Sequence, residues 1–155
     1  NRNILTAAGP GEVFGESYAC LPEEAIPIRA VAAESAEVLL LEVRRVLTTC
    51  PSACAFHALL IRNLLEVLAV KNLTMNEKLI HLTQRTTRDK LLSYLSVCSA
   101  RAGEPEFEIP YNRQQLADYL SVDRSAMSAE LSRLRAQGIL VCKKNRFRLL
   151  GRPET

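Results

Sequence analysis

Tryptophan is absent and aromatic residues make up only 5% of the chain, so any core is expected to be mainly aliphatic. No apolar run approaches the roughly 20 residues needed to cross a bilayer. No charged, apolar and small-residue succession opens the chain as a signal peptide would. Catalytic patterns are missing too. There is no P-loop, no nucleophile–base set and no metal-spaced ligand cluster, which sets an enzyme aside. The sequence also opens without Met, at Asn1, and NRNILTAAGPGEVFGES reads as the middle of a domain. An N-terminal portion is therefore expected to be missing.

Five cysteines are present, Cys20, Cys50, Cys54, Cys98 and Cys142. An odd count at irregular spacing suits reduced thiols and a cytoplasmic protein. Cys50 and Cys54 stand four apart at an expected helix start, where a redox or metal role is conceivable, although packing explains them more simply. His57 and His81 are two further ligand candidates, and a lone helical histidine is more often a packed or surface residue.

The net charge of +3 hides an asymmetry. Residues 111–155 hold nine Lys/Arg against four Asp/Glu, a net of +5; residues 1–110 hold eleven against thirteen, a net of −2. A basic C-terminal third on a near-neutral body fits a nucleic-acid-binding end.

That third contains the most informative stretch, Asn112 to Leu140. Leu116, Ala117 and Leu120 have helical spacing. Ser121-Val122-Asp123 breaks it, with Val122 placed to plug the space between two helices. Asp123 is a good cap for a second helix, which carries Met127, Leu131 and Leu134 inward and ends at Gly138. Its outward face begins with Arg124, Ser125, Ser128 and Ala129, small polar groups and a cation suited to a major groove. Ile139 to Cys142 and Arg146 to Leu150 form a hairpin across Lys143-Lys144-Asn145. The whole is a winged helix-turn-helix with a basic wing tip.

Upstream, residues 1–43 read as β-rich, with Ile28 to Ala33 and Ala36 to Val43 as strands paired across Glu34-Ser35. A helix is expected from Ser52 to about Leu82, because no glycine or internal proline interrupts it. Ile61, Leu65, Leu68, Asn72, Met75, Leu79 and Leu82 alternate steps of four and three, a coiled-coil seam with Asn72 as a register-setting polar residue. A second stripe, Phe56, Leu60, Leu64 and Val67, is expected to pack on the β-rich part. Gln84 to Thr87 is the hinge, and Thr86 or Thr87 caps a helix from Arg88 to about Ala100, with Leu91, Leu92 and Leu95 inward. Glu106 to Ile109 is a short strand. The fold class is thus α+β, divided into 1–50, 51–83 and 84–155.

PGEVFGE at residues 10–16, RQQLADYLSVDRSAMSAELSRL and the QGIL-to-wing segment resemble the Crp/Fnr superfamily of bacterial transcription regulators. The resemblance implies a partial β-roll effector domain of the cyclic-nucleotide-binding kind, a dimerisation helix and a winged helix-turn-helix. It implies a homodimer on a palindromic double-stranded DNA operator, controlled by a small-molecule effector, contacting RNA polymerase if it activates and needing no membrane. The DNA-binding residues it implies are Thr86, Thr87, Arg113, Asp123, Arg124, Ser125, Ala126, Ser128, Ala129, Arg133, Lys143 and Lys144. Those for the effector are Gly15, Glu16, Arg29 and Ala30.

Two departures stand out. Ala129 occupies a position where many relatives carry a guanine-reading arginine, a bidentate pair worth roughly 1–3 kcal/mol of discrimination. Where cyclic-nucleotide binders place a phosphate-neutralising arginine, this chain has Glu23-Glu24-Ala25-Ile26-Pro27, whose carboxylates repel a phosphate. The effector is therefore expected not to be cyclic AMP, its identity is unknown, and a redox or metal signal through Cys50 and Cys54 is the alternative.

Overall fold

The computed structural model describes residues 4–21, 25–48 and 55–150. The chain divides into two compact units, residues 8–74 and residues 75–155 with 1–7. Helix α3 (Ala55–Leu82) contributes its first part to one unit and Met75–Leu82 to the other.

In the first unit, α1 (Glu16–Cys20) and α2 (Val43–Leu47) precede α3. Gly15 supplies the left-handed residue, φ 80°, from which α1 starts. Val43 and Val46 are buried, and the Val46 carbonyl is hydrogen-bonded to His57 Nε2. Lys71 reaches from α3 to Glu16, Nζ to Oε2 2.8 Å.

The paired strands expected over 28–33 and 36–43 are not formed; residues 25–42 carry no regular element. Val38 to Leu41 are exposed, Leu40 at 91%. The reason is that an isolated two-stranded hairpin is marginal in water, and these runs meet no third strand or packed layer among the described residues. The second α3 stripe loses its partner for the same reason, and Phe56 stands 86% exposed. Cys50 and Cys54 lie outside the described residues.

In the second unit, α4 (Thr87–Ala102), β1 (Glu106–Glu108), α5 (Arg113–Leu120), α6 (Arg124–Ala136), β2 (Leu140–Lys143) and β3 (Arg146–Leu149) follow in order. Local chemistry fixes each boundary. Thr86 accepts from the Asp89 amide and starts α4; Gly103, φ 67°, ends it. Asn112 and Gln115 form a reciprocal capping box at the head of α5, which satisfies two otherwise orphaned amides. Asp123 accepts from the Ala126 amide to start α6. Gly138, φ 69°, turns the chain into β2 in a conformation that costs a side-chain-bearing residue more.

The three strands form an antiparallel sheet of order β1-β3-β2, with Phe107 opposite Phe147 and Phe147 opposite Cys142. Lys143 pairs with Arg146, so the turn is two residues, Lys144-Asn145, and Lys143 belongs to β2. The core gathers one apolar stripe from each helix: Leu91 and Leu95, Leu116 and Leu120, Met127 and Leu134, closed by Phe147. The helix-turn-helix inward residues are where their spacing puts them, and Val122 packs partly buried against the same core. Fully burying a Leu-sized side chain contributes about 1.5–3 kcal/mol, so this single cluster accounts for the unit's cohesion. Tyr94, Tyr111 and Tyr119 add a buried aromatic group at its edge; Tyr111 and Tyr119 stack at 4.8 Å.

Candidate nucleic-acid interface

The helix-turn-helix turn is tight because Ser121 adopts a left-handed conformation, φ 51°, while the Val122 amide bonds back to the Ala117 carbonyl at 3.0 Å. That geometry delivers the first turn of α6 to the surface. Arg124, Ser125, Ala126, Ser128 and Ala129 are all exposed, whereas Met127 is fully buried beneath them. The exposed face therefore owes its position to the buried one.

Asp123 organises the start of this face. Its carboxylate accepts from the Ser125 hydroxyl and the Ala126 amide, and those bonds hold its pKa below the ordinary carboxylate value. The Ser125 hydroxyl thus spends its proton on Asp123 and presents lone pairs outward. Of the named cations, Arg124, Arg133, Lys143 and Lys144 are exposed. Lys144 sits at the wing turn with φ 55°, and Asn145 Nδ2 clasps Glu108 Oε1 at 2.6 Å, tying the turn to β1.

Other expected contacts have partners of their own. Arg133 is paired with Glu130 at 3.1 Å. The Thr86 hydroxyl is engaged with Asp89, to whose Oδ2 it donates at 2.7 Å. Arg113 is folded inward: its guanidinium lies over the Phe147 ring at 5.0 Å, and Nη2 donates to Cys142 Sγ at 3.3 Å. Its Nη1 is buried without a hydrogen-bond partner. Arg113, Ser128, Leu131, Ser132, Arg135 and Cys142 line an open cleft of about 200 Å³. Ser132 and Arg135 are not among the contacts expected from the sequence. Ser132 and Arg135 follow Ser128 at helical steps of four and three, so spacing alone could have found them.

The segment that holds this capped helix, cationic wing and three-stranded sheet matches the Crp-like helix-turn-helix domain family over residues 89–154. Residues 89–154 are thus similar to a Crp-like helix-turn-helix domain. No curated protein sequence matches the chain. Among solved structures, FixK2 from Bradyrhizobium japonicum superposes with a TM-score of 0.55 at 23% identity, over 65% of this chain and 52% of that one. A CRP-family transcriptional regulator from Thermus thermophilus gives 0.50 at 22% identity, over 66% and 53%. The chain spans about half the length of these structures. At 22–23% identity the likeness to these structures is one of fold.

The residues expected to meet an effector lie in the unit of residues 8–74. Glu16 is buried and ion-paired with Lys71, while Arg29 and Ala30 are exposed in the stretch without regular structure. Among the described residues no group of three or more His, Cys, Asp or Glu is placed to hold a metal ion. No helix among them is long and apolar enough to cross a membrane.

Proposed function

We propose that the chain is the DNA-reading and dimer-forming part of a Crp/Fnr-type transcription regulator, a homodimer on a palindromic operator under the control of a small-molecule effector other than cyclic AMP. The observation that carries this reading is the first turn of α6, where Arg124, Ser125, Ala126 and Ala129 stand exposed over a buried Met127, beside a cationic wing. Arg124 and Ser125 read base edges. Ala129 offers a methyl contact where a relative's arginine would read guanine. Lys143 and Lys144 meet the phosphate backbone, as do the hinge residues Thr86 and Thr87, while Arg113 is a phosphate or base contact and Arg133 a further DNA contact.

Dimerisation runs along Ile61, Leu65, Leu68, Asn72, Met75, Leu79 and Leu82. In support, Leu65, Met75 and Leu79 are exposed in the single chain, at 62%, 38% and 57%. Leu59, Val70, Leu73 and Ile80 are exposed as well, so the spacing and not the exposure singles out the seam. A two-fold dimer reads half-sites about 34 Å apart. Residues 1–50 form the effector part, 51–83 the dimer helix and 84–155 the DNA-binding part, and the operator-bound dimer contacts RNA polymerase if it activates. Gly15, Glu16, Arg29 and Ala30 belong to the effector site. In the sequence, Glu23 and Glu24 stand where a cyclic-phosphate binder needs a cation, which speaks against cyclic AMP.

A gel-shift titration tests the reading, using a duplex selected by this protein from a random pool. Specific binding must survive competitor DNA and weaken steeply between two salt concentrations. Binding that competitor abolishes at every salt concentration overturns it.

A further inference from the structure

Behind the reading face, one guanidinium ties two points of α6 to the hinge. Arg88, in the first turn of α4, donates through Nη1 to Glu130 Oε1 at 3.2 Å and to Gln137 Oε1 at 2.8 Å. Glu130 lies in the middle of α6 and Gln137 is its C-cap residue. A single contact leaves a helix free to roll and tilt about it. Two contacts seven residues apart on one side restrain both motions.

The acceptor is well fixed. Glu130 is only 12% exposed, and its second oxygen takes Arg133 Nη1 at 3.1 Å. Charge-assisted bonds to both oxygens of one carboxylate specify its orientation. At the donor end the backbone is held by the Thr86 cap, two residues before Arg88. Further along, α4 is held to the end of α3 by His81–Ser93 and by the ion pair Arg101–Glu77. Beside the shared core, Arg88 is therefore a polar link through which the position of α4 is handed to α6.

We infer that Arg88 is a positioning residue: it sets the roll of α6, and with it the aim of Arg124, Ser125 and Ala129 at base edges, without itself contacting DNA. The inference rests on the DNA-reading function proposed above. It assigns Arg88 to sequence discrimination, in contrast to the phosphate-facing cations, which supply affinity to any sequence.

The test measures the affinity of wild type, Arg88→Met, Arg88→Lys and Gln137→Ala for the selected duplex and for a scrambled one, each across a salt series. Arg88→Met is expected to lower the selected-to-scrambled ratio about tenfold while the scrambled affinity and the salt slope stay at wild-type values. Arg88→Lys, which keeps a cationic donor, restores most of the ratio. Gln137→Ala removes one of the two tethers from an exposed side chain, so it falls between, and it carries the test if Arg88→Met fails to fold. An even loss on both duplexes with the salt slope smaller by about one makes Arg88 a phosphate contact and overturns the proposal. Unchanged DNA binding with a lowered urea midpoint makes it a strut only, with the same result. A wild type that does not prefer its selected duplex sinks the underlying function first, before any variant is measured, and the inference falls with it.

Discussion

His81, in the last turn of α3, shares a 2.7 Å hydrogen bond from Nδ1 with the Ser93 hydroxyl of α4 and meets the Tyr94 ring edge-on at 5.7 Å. The imidazole is 3% exposed. Burial is the main influence lowering its pKa below the ordinary 6.5; Glu77 opposes the shift and Arg101 adds to it.

A pH dependence follows. A base whose folded pKa is depressed binds its proton more readily in the unfolded chain, so its contribution is complete above the unfolded pKa. It is lost as pH falls from that value towards the folded one. Urea midpoints are expected to drop between about pH 7.5 and pH 5.5 in the wild type and to drop less in His81→Asn. Equal slopes for the two proteins would refute the assignment.

The capping box gives a second expectation. Asn112→Ala removes the acceptor for the Gln115 amide at 3.0 Å and should cost about 1 kcal/mol of unfolding free energy. Asn112→Asp, which retains a capping oxygen, should recover most of it. Urea titration at neutral pH provides both values.

The reading helix and the wing are expected to fail differently. Arg124→Ala should relax base preference, bringing the selected and scrambled duplexes closer in affinity. Lys144→Ala should weaken binding evenly and reduce the salt slope by about one. Lys144 has φ 55°, so Lys144→Gly removes the charge while easing the backbone. It should bind more weakly yet unfold no earlier. Fluorescence anisotropy over a salt series, beside thermal melts, separates these effects.

The seam carries a fourth. Leu65→Glu and Leu79→Glu each place a charge on a heptad position already exposed in the single chain, where it alters association rather than the monomer's core. Sedimentation velocity should show the dimer giving way to monomer. A dimer of unaltered strength in both variants would move the interface to another face of α3.

The parts of the fold legible in the sequence were those written locally. Asp123 and Gly138 announce their helix ends within three residues, and Met127, Leu131 and Leu134 state a periodicity that survives folding unchanged. Ile28 to Val43 shows the opposite case. An apolar run can suit a strand, but a strand exists only when a distant segment pairs with it, and that partner is not written in the run. The inward turn of Arg113 onto Phe147 and the grip of Arg88 on Glu130 depend on residues more than thirty positions apart. Composition there predicts a cation, not its direction.

The sheet order has a consequence for how the Crp-like domain comes into being on the ribosome. β3 is the last of the described strands and lies in the middle of the sheet, so β1 and β2 have nothing to pair with in that sheet until it is made. Phe107 must wait about forty residues of translation for Phe147 to cover it. The helices are free to form earlier, but their shared core stays unsealed until that final hairpin emerges. A message cut short just before Phe147 should yield a sticky, protease-sensitive product instead of a weaker version of the same domain.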